Sequence, residues 1–210
     1  MKKSISIIWT ICLIISCIVL SSCNQRTITI LSKSEITNFR KNYPLISVNR
    51  MSFDYPMLDL DARLAFLPYL AEIEVTKVLP DYTVEVEHET STTESYKTTL
   101  LFHQYEVKVH NTIINRTEHE LPETITLCFA DAFSESYPSL AVGTKLVASL
   151  EPAKGSHAGS YIFYDNTLFY VTNNDYILSV YTENENDIDL TGYTKHDFID
   201  QISQMLADNE

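Results

Sequence analysis

Glycine is scarce in this chain, with 4 in 210 residues, and the one tryptophan is Trp9. Phosphate-cradling loops need clustered glycines, so the Walker and dinucleotide patterns are absent. Gly155-Ser156-His157-Ala158-Gly159 superficially suggests a nucleophile elbow, but that motif places Ser midway between the glycines. A sugar platform would have to use tyrosine, since the best stacking residue does not occur after position 9. Histidine is also sparse. His88, His103, His110, His119, His157 and His196 form no H-x-H or H-x-x-x-H pair, so no metal and no cofactor is expected. His103 and His110 fall on opposite faces of one strand, and His103 reads as a satisfied core histidine.

Cysteine follows the same trend. Cys12 and Cys17 lie in the apolar leader, Cys23 ends it, and Cys128 stands alone in the remainder. No catalytic residue is marked by this pattern, because Cys128 has no sequence partner. Basic residues are few as well: 15 against 28 acidic, a net charge of −13. Lys2 and Lys3 belong to the leader, so the rest carries 13 basic and 28 acidic residues, or −15. Such a surface repels phosphate backbones, which argues against nucleic acid and for a neutral or basic partner.

What is present begins with the address. Met1-Lys2-Lys3-Ser4 is a short positive segment, and Ile5 to Leu20 is a run of 16 mostly apolar residues. Leu20-Ser21-Ser22-Cys23 closes it, giving the layout of a secretory signal. An uncleaved anchor would want about 20 apolar residues. The tetrapeptide resembles the lipobox of bacterial lipoprotein precursors. That resemblance implies a diacylglyceryl group on the Cys23 thiol, cleavage before Cys23, and an extracytoplasmic, lipid-anchored location at the cell membrane. Residues 1–22 are then the signal peptide, 23–43 the lipidated Cys and tether, and 44–210 one domain. A 17-residue tether from Asn24 to Arg40 could reach about 60 Å.

The remainder favours strands. Ala71, Ile73 and Val75 alternate with Glu72, Glu74 and Thr76; Val84 and Val86 alternate with Glu85 and Glu87. These two runs read as a hairpin turning at Pro80-Asp81, with one wet acidic face. Glu89 to Thr99 reads as a loop. Leu101 to His110, Glu123 to Ala130 and Thr144 to Leu150 read as further strands. Tyr161 to Val171 reads as a hairpin turning at Asp165-Asn166, and Tyr176 to Tyr181 as a last strand. Short helices are expected near Ser34-Glu35 and over Asp59 to Leu67. At the end, Thr194 and Asp197 form a capping pair before a helix whose Phe198, Ile202 and Met205 share a face.

Short strands with one apolar face must close on each other or on a helix. The fold expected is therefore mainly β, a small antiparallel barrel of five or more strands with a docked C-terminal helix and short N-terminal helices. The order Ala71–Leu79, Tyr105–Val109, Thr124–Leu127, Val142–Val147 resembles an OB-like barrel domain of exported proteins of low-GC Gram-positive bacteria. The resemblance spans roughly Asp59 to Val180. This chain has Asn111-Thr112 where that domain usually has glycine. OB folds host many functions, so the resemblance implies a fold and no activity.

Three functions stay open. A binding or adaptor domain at the cell envelope, for a protein or small ligand, leads. A hydrolase could use Glu72, Glu74, Glu85 and Glu87 if they gather on one face. An inhibitor of an extracellular enzyme is the third, by fold analogy. The acidic run Glu183, Glu185, Asp187, Asp189 offers oxygen ligands but lacks an EF-hand's Gly and final Glu. The aromatics Tyr161, Phe163, Tyr164, Phe169, Tyr170, Tyr176 and Tyr181 are either core or a binding platform.

Overall fold

The computed structural model describes residues 28–46, 60–89, 95–181 and 190–208. Cys23 and the run from Glu183 to Asp189 lie outside the described residues. In chain order the elements are α1 (Lys33–Phe39), α2 (Leu60–Leu64), β1 (Tyr69–Glu89), β2 (Ser95–Asn115), β3 (Thr124–Ala130), β4 (Lys145–Pro152), β5 (Tyr161–Val171), β6 (Ile177–Ser179) and α3 (Lys195–Asp208).

The protein is mainly β, as its alternation requires. The sheet runs β3-β2-β1-β4-β5-β6, and a further β3–β5 pairing bonds five strands into a barrel-like ring. Every pairing between these strands is antiparallel except that closing one, where Leu127 lies parallel to Tyr161. The ring is compatible with the expected small barrel, but its seam is parallel. Inward residues Ile73, Val75, Val107, Leu127, Phe129 and Leu150 are buried together.

A second core lies outside the ring. Leu70, Val147, Phe169 and Ile177 meet Leu60 and Leu64 of α2 and Phe198, Ile202 and Met205 of α3. Strand β4 is thus covered on both faces, with Leu146 through Leu150 all buried, which suits a run that is apolar but for Ser149. Thr194 starts α3 as anticipated: its hydroxyl accepts from the Asp197 N–H at 3.2 Å and donates to Asp197 Oδ2 at 2.7 Å.

Four local readings need correction. Pro80-Asp81 is not a hairpin turn; β1 runs straight through it, with a register irregularity between Leu79 and Tyr82. The stretch after Glu89 is strand again from Ser95. Asp165-Asn166 is not a reversal either. Leu150 pairs with Phe163 and Ala148 with Leu168, so four residues of β5 bulge opposite Ser149. Finally, the chain from Ile28 to Ile46, read mostly as tether, packs on the barrel. Leu31, Ile36, Phe39, Tyr43 and Ile46 join the inner core. Leu31 N–H donates to the Gly192 carbonyl at 2.9 Å, and Arg40 donates to the Ser179 carbonyl at 2.6 Å.

The length of β1 has a geometric cause. Followed once round the ring, the register runs from Tyr69 through Leu150 to Phe163, then, two residues along from the Leu127–Tyr161 bridge, to Phe129 and so to His103. It returns to β1 beside Pro80-Asp81, a stagger of about eleven residues. One strand must therefore serve the ring twice. β1 pairs with β4 only over Tyr69 to Glu74, and β2 pairs with β3 only over Phe102 to Lys108. Beyond these limits Tyr82–Glu89 and Ser95–Leu101 pair with each other alone, forming an arm that leaves the barrel.

Candidate functional site

The arm has two chemically different faces. Tyr82 pairs with Phe102, Val84 with Leu100, Val86 with Thr98 and His88 with Tyr96. Thr83, Glu85 and Glu87 pair with Leu101, Thr99 and Lys97 on the other side. Directly opposed residues share a face, so one is apolar and aromatic and the other acidic. Among the described residues no second layer covers the apolar face toward the tip: Leu100 is 37% and Tyr96 54% exposed. At its outer end the His88 ring stacks on Tyr96 at 4.8 Å, and its Nε2 lies 2.7 Å from the Thr98 hydroxyl.

The arm is clamped at its base from two sides. On one, the β4–β5 connection brings His157 against Phe102, ring centroids 4.1 Å apart, and its Nδ1 hydrogen-bonds the Tyr82 hydroxyl. Tyr82 stacks on Phe102 at 5.3 Å. Burial, with a contribution from Cys128, holds the Tyr82 phenol well above its ordinary range, so it stays protonated. Cys128 lies fully buried behind this pair. Burial pushes its thiol up, although hydrogen bonds with Tyr82 and Ser160 pull the other way. A buried, protonated thiol is a poor nucleophile.

On the other side His103 lies between two aspartates. Its Nδ1 is 3.0 Å from Asp81, in the β1 irregularity, and its Nε2 is 2.8 Å from Asp131, just after β3. Asp81 first, then Asp131, raise its pKa. The imidazolium form satisfies both carboxylates, because both ring nitrogens then donate. His103 is satisfied as expected, but by charge at the barrel mouth rather than within the core.

The four sheet carboxylates do not gather. Glu72 is buried beneath α3, with Lys195 Nζ at 3.0 Å. Glu74 meets His110 Nε2 at 2.8 Å and Lys145 at 4.0 Å. Glu85 pairs with Lys97 at 3.2 Å out on the arm, where Glu87 also lies. The single acidic face read from alternation is split by the register shifts of β1, which rotate successive segments. The aromatic cluster is mostly core: Phe163, Tyr170 and Tyr181 are buried inside, Phe169 in the outer core, and Tyr164 is exposed. Among the described residues no group of three His, Cys, Asp or Glu is arranged to hold a metal ion.

Sequence reasoning missed both clamps. Tyr82 and His157 are 75 positions apart, and Asp81, His103 and Asp131 span three elements. Nothing local marks such long-range partners. No protein-family model matches the chain, and no curated protein matches it.

Proposed function

We propose that this chain is an exported lipoprotein, anchored through a lipid on Cys23, whose domain binds a protein partner at the cell envelope through the β1–β2 arm. The anchor rests on Lys2-Lys3, the apolar run and Leu20-Ser21-Ser22-Cys23. The binding role rests on the arm. A two-stranded ribbon is marginal by itself in water, yet this one is clamped at its base and extends beyond the barrel both an apolar face and two edges that pair with no other strand among the described residues. That is an expensive shape for a domain with nothing to hold. The separation of Glu72, Glu74, Glu85 and Glu87 weighs against the hydrolase. The inhibitor is a narrower form of the same reading, with the ribbon entering a cleft.

The test combines a fatty-acid probe with a photo-crosslinking residue in the full chain. Label is expected on the parent chain and lost in Cys23→Ala, with release from the membrane. A discrete adduct is expected from Leu100 or Tyr96, and none from Val142, an exposed apolar position on the barrel. Label persisting on the Ala variant sinks the anchor. Equal adducts at Val142 and Leu100 sink the arm.

A further inference from the structure

We infer that the free edge of β1 in the arm takes up an extended peptide segment of alternating apolar and basic residues, added as a further strand. This rests on the reading of the arm as the docking element.

The backbone sets the first requirement. From Tyr82 to Glu89, β1 hydrogen-bonds only to β2, and no strand among the described residues lies on its other side. Alternate N–H and C=O groups along that edge are left to water, which is the template for strand addition. The edge has 8 residues, about 26 Å at 3.3 Å each, room for a strand of about six. Natural edges are usually blunted by Lys, Pro or a bulge. Here Pro80 and the irregularity guard only the base. Tyr82 to Glu89 contains neither Lys nor Pro.

The side chains set the second. An added strand continues both faces of the arm. On one it meets Tyr82, Val84 and Val86, which call for apolar residues. On the other it meets Thr83, Glu85 and Glu87, which call for Lys or Arg. Lys97 competes weakly, because it and Glu85 are both mostly exposed. The charge also argues against a second copy as the occupant. Antiparallel β1–β1 pairing would bring the glutamates of two copies together, and like charges across strands repel. The β2 edge, Ser95 to Leu101, carries Lys97 and no acid, so a basic strand has no electrostatic reason to choose it.

The experiment uses the full chain in detergent micelles and a blocked hexapeptide alternating valine and lysine. Amide exchange is read residue by residue. The peptide should slow exchange about tenfold at alternate amides between Thr83 and Glu87. The same peptide N-methylated along one edge should lose this protection, and a valine–glutamate peptide should give none. Glu85→Lys with Glu87→Lys should reverse the preference, and Glu87→Gln should weaken it without reversal. Unfolding curves check that both variants keep the fold. Protection that survives N-methylation, ignores the charge reversal or maps to β2 overturns the inference. So does self-association that occludes the β1 edge without peptide. If the Leu100 adduct forms while the peptide fails, strand addition falls and the docking role stands. If both fail, both fall.

Discussion

Lys195 is the first residue of α3, where a cation opposes the helix dipole. Its position is explained by Glu72, whose side chain is only 8% exposed and lies 3.0 Å away. At that separation and an effective dielectric of about 20, the attraction is roughly 5–6 kcal/mol before desolvation. Removing one partner of a buried pair typically costs about 3–5 kcal/mol. Lys195 is 30% exposed, so water partly rehydrates the orphaned carboxylate, and the lower end applies. Asp175, 3.3 Å from the ammonium, is 67% exposed and adds little. Lys195→Met keeps the apolar stem and should therefore destabilise by about 3 kcal/mol, lowering Tm by about 6–12 °C. Glu72→Gln/Lys195→Met should recover about 2 kcal/mol of that, since no charge is left stranded. Burial alone would lower the Lys195 pKa, but Glu72 and then Asp175 outweigh it and raise it. A raised basic pKa contributes fully below the unfolded value, about 10.4, and is lost above it. The penalty of Lys195→Met should thus be constant through neutral pH and shrink only in strong alkali. Denaturant unfolding of the parent and these two variants measures all of this. A Lys195→Met penalty under about 0.5 kcal/mol would refute the buried-pair argument.

His103 carries the same pH signature within reach of ordinary buffers. Its pKa is raised by Asp81 and Asp131, so the clamp is complete below about pH 6.5 and weakens as pH climbs through the folded value. Amide exchange at Tyr82 to Val84 should quicken with pH beyond the intrinsic rate, and His103→Gln should remove that excess. Phe198 is fully buried against Phe169, ring centroids 4.9 Å apart; Phe198→Ala should cost about 3–5 kcal/mol, read by calorimetry. Thr194→Ala removes the α3 cap and should cost about 1 kcal/mol, read as a lower denaturant midpoint with an unchanged slope.

The elements easiest to read were those with one strongly apolar face. Ala71 to Val75, His103 to Val109 and Ile125 to Phe129 alternate because they line the ring, and Phe198, Ile202 and Met205 recur because α3 has one dry side. Pro80-Asp81 and Asp165-Asn166 misled because turn chemistry is local. Whether such a pair reverses the chain or merely bulges it depends on the stagger of the whole ring, which no short window contains. Residues 28–46 did carry a signal: Ile36, Phe39 and Tyr43 have helical spacing and all pack inward. Polar neighbours such as Lys33, Glu35 and Lys41 masked it. The clamps at the arm's base were illegible, since their partners meet only through tertiary structure.

Thr29 N–H donates to Asp197 Oδ2 at 3.2 Å, and that attachment bears on the domain's reach. A lipid on Cys23 would leave six Cα steps before it, about 21 Å at full stretch instead of about 60 Å. That leash is comparable with the radius of gyration of a domain this size, about 16 Å. A body so tied would not tumble freely; the side bearing Thr29 would stay toward the lipid, and the space it patrols would shrink about twentyfold. The arm would then sample a thin layer over the bilayer, where each encounter with a neighbour in the same membrane repeats at high effective concentration. Partners elsewhere would have to come to it.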